Sequence, residues 1–229
     1  KVEEVILADR VSTGTKELDS LLLGGIPEAY AVALTGPPSD EREKIVKSFL
    51  EAGIKQDQIT FHVTAEPTGL VDLLEKHQST FFLFLCNPKP KTQVPDLPNI
   101  HKLRSKTDLN NLNIALTVAS RSLDQKLRGP KRVCVEIVSD VLIRHQVEVT
   151  RRWISGLIAE MGSKGFTLLA VMNPSMHPSD QANAVLDLFD GIISLFETEP
   201  EIECKTFIQI KRLRDQDYIK NPVCLTKPT

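Results

Sequence analysis

The sequence predicts an α/β fold, a mostly parallel twisted sheet flanked by helices and closed at one edge by an antiparallel hairpin. Strand-like apolar runs alternate with amphipathic helical patterns almost throughout the chain, and parallel strands need the crossovers such alternation supplies. Several runs are continuously apolar rather than alternating, as in strands covered on both faces. With 229 residues, 41% hydrophobic and 25% charged, the chain has the size and balance of a single globular domain, expected over 1–229.

The strand signals, in order, are Ala31–Thr35, Ile59–Thr64, Phe81–Cys86, Arg132–Val138, Thr167–Met172, Gly191–Phe196 and Thr206–Lys211. The last two are separated by about a loop's length, which predicts the hairpin. Helical spacing places Ile45, Val46, Phe49 and Leu50 on one face. It does the same for Leu70, Leu73 and Leu74, and for Leu109, Leu112, Leu116 and Ala119. In "VTRRWISGLIAEMGSKG", Val149, Trp153, Leu157 and Met161 recur every fourth residue before Gly162 and Gly165 close the pattern. Pro88, Pro90, Pro95 and Pro98 mark a surface loop.

A net charge of −2 and a pI near 6.3 give the chain no overall pull toward nucleic acid or anionic membrane. No apolar run reaches the ~18–20 residues of a spanning helix, and no secretory leader is read at the start. A cytoplasmic protein is expected. Cys86, Cys134, Cys204 and Cys224 are widely spaced, at least two within apolar strand-like runs, and are expected as buried core thiols. His62, His77, His101, His145 and His177 show no helical ligand spacing, so no metal site is expected.

The stretch "STGTKELDSLLLGGIPEAYAVALTGPP" is the most specific in the chain. Ser12-Thr13-Gly14, Leu18-Asp19, Leu21-Leu22 and Gly24-Gly25-Ile26-Pro27 lead into a strand and then Gly36-Pro37-Pro38. This order resembles the opening of the RecA/KaiC-like P-loop ATPases. The resemblance continues through "RVCVEIVSDVL", at the family's Walker B strand, and on to "IKRLRD…NPVCLT", so that it covers 11–226. It implies a RecA-type core with a terminal hairpin, an ATP/Mg site at the loop, and self-association into rings or filaments.

The loop itself departs from the family. A working G-x-x-x-x-G-K-[ST] loop wraps backbone N–H groups around phosphates, with Lys on the outer phosphates and a hydroxyl on Mg²⁺. Here the first glycine is Gly36, the second falls on Glu41, the Lys on Arg42 and the hydroxyl on Glu43. Ser39 replaces the usual glycine after Pro38, and Asp40 adds a third acid. Two like charges ~4 Å apart repel by about 4 kcal/mol at an effective dielectric of 20, so this loop is expected to reject a polyanion. A helix N-terminus is served instead by Ser39 or Asp40 as cap, with Asp40 and Glu43 at capping-box spacing. The resemblance sets Ala65 and Glu66 at the family's paired glutamates and Glu136 at the Walker B acid. With no phosphate present, Arg42 is expected to pair with Glu136 or Glu66. Arg212-Leu213-Arg214 corresponds to the family's K-x-R motif, which reaches a neighbouring subunit's nucleotide.

The favoured expectation is a degenerate member, without catalytic residues or cofactor, acting through protein contacts as a regulatory or assembly subunit. The alternatives are a residual ATP-binding protein or weak ATPase using Arg42, Glu66 and Glu136, and a recombinase-paralogue-like binder of single-stranded nucleic acid. The last needs a basic groove with stacking aromatics. The chain offers only Lys89–Lys91, Arg128–Arg132, Arg151-Arg152 beside Trp153, and Lys211–Arg214, with aromatics at 5%.

Overall fold

The computed structural model describes residues 9–67, 69–87, 94–105, 108–123, 129–198 and 204–226. The chain opens with β1 (Arg10–Val11), α1 (Lys16–Leu21) and β2 (Ile26–Pro27), the two strands pairing antiparallel. There follow β3 (Ala31–Thr35), α2 (Asp40–Lys55), β4 (Thr60–Thr64), α3 (Val71–Lys76), β5 (Phe81–Cys86) and β6 (Ile100–Leu103). Next come α4 (Leu109–Ser122), β7 (Lys131–Val135), α5 (Val138–Arg144), α6 (Val147–Ser163) and β8 (Phe166–Met172). After a 3₁₀ turn at Pro174–Met176, α7 (Ser179–Leu186), β9 (Gly191–Glu197), β10 (Thr206–Leu213) and β11 (Val223–Thr226) complete the fold.

One sheet of nine strands runs β11-β10-β9-β3-β8-β7-β4-β5-β6. From β9 to β6 the pairs are parallel, and β10 and β11 add antiparallel at the other edge. The mostly parallel α/β expectation therefore holds, hairpin included. Every residue of β3, β4 and β8 is buried, because alternate side chains enter different cores. Ala31, Ala33, Phe61, Val63, Val133 and Val135 face a cluster with α4, α5, α6 and α7. Val32, Leu34, Cys134, Leu169 and Val171 face another with α1, α2 and α3. Trp153 is in the first core as expected, with its indole N–H donating to Asn113 Oδ1 at 3.2 Å.

Three expectations are corrected. The strand read as Arg132–Val138 leaves the sheet after Val135, and Val138 starts α5, burying Val138, Val141 and Leu142 at helical spacing. Its β-branched run reads as strand, but its last apolar residues serve a helix face. In α6 the buried stripe is Thr150, Trp153, Ile154, Leu157 and Met161, while Val149 is exposed. Thr150 enters the core because its hydroxyl is satisfied by Gln146 O at 3.2 Å. Cys86 and Cys134 are buried thiols, as expected, but Cys204 and Cys224 form a disulfide across 20 residues. β10 and β11, joined by a turn, bring their Cα atoms to 5.8 Å. The short strands β6 and β11 lack a sequence signal of their own. The prolines Pro88 and Pro90, and the clusters Lys89–Lys91 and Arg128, lie outside the described residues.

Candidate functional site

The loop between β1 and α1 is organised by one carboxylate. Asp19 accepts from Ser12 Oγ at 2.6 Å, from the Thr13 backbone N–H at 2.7 Å and from Thr13 Oγ1 at 2.7 Å. Gly14 has φ +74°, and a Cβ there would lie 2.4 Å from Ser48 O in α2. Gly25, at φ +131°, would place a Cβ 2.3 Å from Val11 O. Both positions require glycine on conformation and on space. Beneath this loop lies Arg132, fully buried at the start of β7. Its guanidinium donates to Ser12 O (3.0 Å), Phe49 O (2.7 Å) and Gln58 Oε1 (2.5 and 3.1 Å), and stacks 4.9 Å over the Phe49 ring. Burial pulls its pKa down to about 10, partly offset by the charge of Asp19.

The second element is the turn from β3 into α2, at the carboxyl ends of β3, β8, β7 and β4. In an open α/β sheet this is where ligands are held. Gly36 (φ +152°) passes so close to β9 that a Cβ would meet Leu195 Cβ and O at 2.9 Å. Ser39 is the N-cap of α2, with its Oγ accepting from the Arg42 backbone N–H at 3.2 Å. Asp40 is thus the first helical residue, so the Asp40–Glu43 capping box is replaced by a single Ser39 cap. Asp40, Glu41 and Glu43 all lie in the first turn, where the helix dipole favours carboxylates. Arg42 turns back and its Nη1 donates to Gly36 O at 3.0 Å. Burial lowers the pKa of this guanidinium, against the opposing pull of Glu136 and Glu43.

The third element is Glu136, just past β7, with its backbone N–H donating to Val63 O at 2.9 Å. Its carboxylate lies 2.5 Å from His62 Nε2, and the imidazole is almost wholly buried in β4. The parallel register aligns His62 with Cys134, which sets Glu136 one strand repeat further along the same face. Burial raises the Glu136 carboxyl, but hydrogen bonds from His62 and Thr64, with the charges of His62 and Arg42, hold it below the ordinary range. His62, from the adjacent strand, is the hydrogen-bonded partner of Glu136, while Arg42, expected to pair with it, acts on the carboxylate through its charge. Arg42 and Glu136 face each other across a cavity of about 140 Å³ that Pro38, Ser139, Met172 and Asn173 also line. Glu66 sits exposed beyond β4, where Thr64 Oγ1 bonds both its backbone N–H and its carbonyl at 3.2 Å.

His62 is the site residue that the sequence did not reveal. Testing histidines for metal-ligand spacing misses a cross-strand acid, and that pairing depends on the β4–β7 register. Among the described residues, no three His, Cys, Asp or Glu side chains are grouped to hold a metal.

Arg212 and Arg214 have different fates. Arg212 closes the C-terminal end of α7, with Nη2 donating to Leu186 O and Phe189 O at 3.0 Å and Nη1 to Asp187 Oδ1 at 3.2 Å. Arg214 is half exposed and pairs with Asp190 at 3.6 Å. Arg151 and Arg152 are exposed on α6, but Arg132 and Trp153 are core residues and offer a surface neither charge nor stacking. No helix among the described residues is long and apolar enough to cross a membrane.

Residues 11–225 match the family model described as "ATPase: KaiC". A KaiC-like protein from the hyperthermophilic archaeon Pyrococcus horikoshii OT3 superposes with a TM-score of 0.70 at 19% identity, covering 94% of each chain. A UPF0273 protein of Methanopyrus kandleri is 41% identical over 58 residues, 25% of this chain and 23% of that protein. The matched segment thus spans about a quarter of that relative's length.

Proposed function

The chain belongs to the KaiC family of ATPases, and from that membership we propose that it is a non-catalytic member, a regulatory or assembly subunit acting through protein contacts. The observation that carries this reading is the self-satisfied first turn of α2. Ser39 Oγ takes the Arg42 N–H, and the Arg42 guanidinium takes Gly36 O across the mouth of the loop. In the family both the N–H groups and the cation at these positions serve phosphate. The three carboxylates of the same turn, Asp40, Glu41 and Glu43, add negative charge where a phosphate would have to come. The head-to-tail association typical of RecA-like cores needs no nucleotide chemistry. In such a ring or filament, with copies of itself or with another protein, Arg214 is the arginine open to a neighbour.

A second reading rests on Glu136. An acid kept ionised at a strand end, facing Arg42 across a cavity, is what a residual ATP–Mg site would retain. Titration calorimetry with ATP and ADP in the presence of Mg²⁺ separates the two. The non-catalytic reading expects no heat from the native chain, and binding once Ser39–Glu43 are replaced by Gly-Ser-Gly-Lys-Thr. Micromolar binding by the native chain refutes it, and turnover by Glu66→Gln and Glu136→Gln variants is then the next measurement.

A further inference from the structure

We propose that the Cys204–Cys224 disulfide is a thiol-redox latch that holds the C-terminal edge strand on the sheet and closes a cavity beside the first turns of α2. This goes beyond the non-catalytic reading and does not depend on it.

β11 is the outermost strand of the sheet among the described residues and pairs with β10. It is four residues long, and its register slips between Thr206 and Phe207. Val223 and Leu225 pack against the core shared with α1, α2 and α3, but the ladder that holds this short edge strand on the sheet is interrupted. The disulfide joins it to the residues just before β10, where Cys204 is buried, while Cys224 is half-buried. Leu225, the next residue, lines a cavity of about 300 Å³ together with Thr15, Lys16, Glu41, Lys44 and Ser48. The latch therefore connects β11, the Asp19-organised loop and α2.

The other thiols sharpen the contrast. Cys86 and Cys134 are wholly buried in central strands, and burial, with the charge of Glu136, drives the Cys134 thiol far above its ordinary value. Thiol chemistry runs through the thiolate and needs access, so the Cys204–Cys224 pair reacts while the core pair stays inert.

The step needs a dithiol reductant. Its first thiolate attacks Cys224 Sγ, breaking the Cys204–Cys224 bond, forming a mixed disulfide and releasing Cys204 as a thiolate that takes up a proton. The second thiolate of the reductant then displaces Cys224, which is protonated in turn. Two electrons pass to the protein, and the reductant leaves as its own disulfide. With the bond open, β11 is free to undock, uncovering Ile45 and the Lys16–Lys44 side of the cavity.

Hydrogen exchange followed by mass spectrometry on the full chain, with and without dithiothreitol, tests the latch. In the untreated protein, alkylation after denaturation should label two thiols, and four after reduction. Reduction should accelerate exchange of residues 223–226 by roughly tenfold or more, as expected when a crosslink restraining a short edge strand is lost. Exchange in β3 should not change. A C204S/C224S double variant should behave as the reduced protein under both conditions. The proposal is overturned if all four thiols label without reduction, or if 223–226 exchange equally in both states. It is also overturned if β3 accelerates in parallel, which would make the bond a global staple rather than a latch.

Discussion

Two glycines inside helices should respond oppositely to the same substitution. Alanine is favoured over glycine in a helix interior by about 1 kcal/mol. At Gly156, in the exposed part of α6, an added Cβ meets nothing within 4 Å, so Gly156→Ala should stabilise by about 0.5–1 kcal/mol. At Gly53, in α2, the same Cβ would lie 2.5 Å from Arg132 Cδ, Arg132 Nε and Thr60 Oγ1. Arg132 cannot swing away, because its guanidinium is fixed by Ser12 O, Phe49 O and Gln58 Oε1. Overpacking costs ~1–3 kcal/mol, and losing a bond from a charged donor to Gln58 adds about 1.5–3 kcal/mol. Against the propensity gain, Gly53→Ala should lose about 2–4 kcal/mol. Guanidinium denaturation reads both variants as midpoint shifts at constant slope. A double-mutant cycle with Arg132→Met should then recover about 1–2 kcal/mol of the Gly53→Ala loss, Thr60 retaining the remainder. A Gly53→Ala variant as stable as the parent, or a cycle without coupling, would refute the placement of a cation against α2 and with it the anchoring of the Ser12–Asp19 loop.

Other outcomes follow from the same geometry. Ser39→Ala should destabilise by about 1 kcal/mol in the same denaturation assay, since it removes the side-chain acceptor of the Arg42 N–H. Glu136 has a depressed carboxyl pKa, so its stabilisation is present above the ordinary carboxylate range and lost as pH falls through its lowered folded value. Acid unfolding of Glu136→Gln should therefore show a shallower loss of stability between pH ~5 and ~3 than the parent. Arg212→Met should cost about 2 kcal/mol through the lost bonds to Leu186 O and Phe189 O, whereas Arg214→Ala should fall within ~0.5 kcal/mol, as exposed ion pairs do. Thermal melts rank that pair, and an Arg214→Ala loss as large as that of Arg212→Met would contradict the assignment of their roles.

The strands were legible where burial on both faces makes a run continuously apolar. β3, β5 and β8 fall within a residue of where Ala31–Thr35, Phe81–Cys86 and Thr167–Met172 predicted them. What the sequence concealed was set by neighbours distant along the chain. Arg132 reads as part of a basic surface cluster, yet it is fully buried because Gln58 and two carbonyls satisfy it. Val149 fits a four-residue period but lies off the face by one position, since a threonine whose hydroxyl bonds its own helix can enter the core. His62 and Glu136 are 74 residues apart and meet only through the β4–β7 register. Cys204 and Cys224 meet through a turn that carries no cysteine spacing rule.

The residues that carry the family resemblance are spent within the chain. Gly14 and Gly25 are glycines because α2 and β1 stand where a Cβ would be. Ser12, Thr13 and Asp19 bond one another, and Arg132 ties that loop to α2 and the turn before β4. These contacts are made within the chain, so the opening signature serves the fold whatever the loop after β3 contains. That loop makes its own bonds, from the Arg42 N–H to Ser39 Oγ and from Arg42 Nη1 to Gly36 O, apart from the signature's network. Its composition can therefore change without disturbing the signature around it. On the proposed non-catalytic reading, the chain keeps the signature of its family while the loop after β3 answers to the demands of a helix N-terminus: a cap, a carboxylate-rich first turn and a cation turned back on the preceding carbonyl.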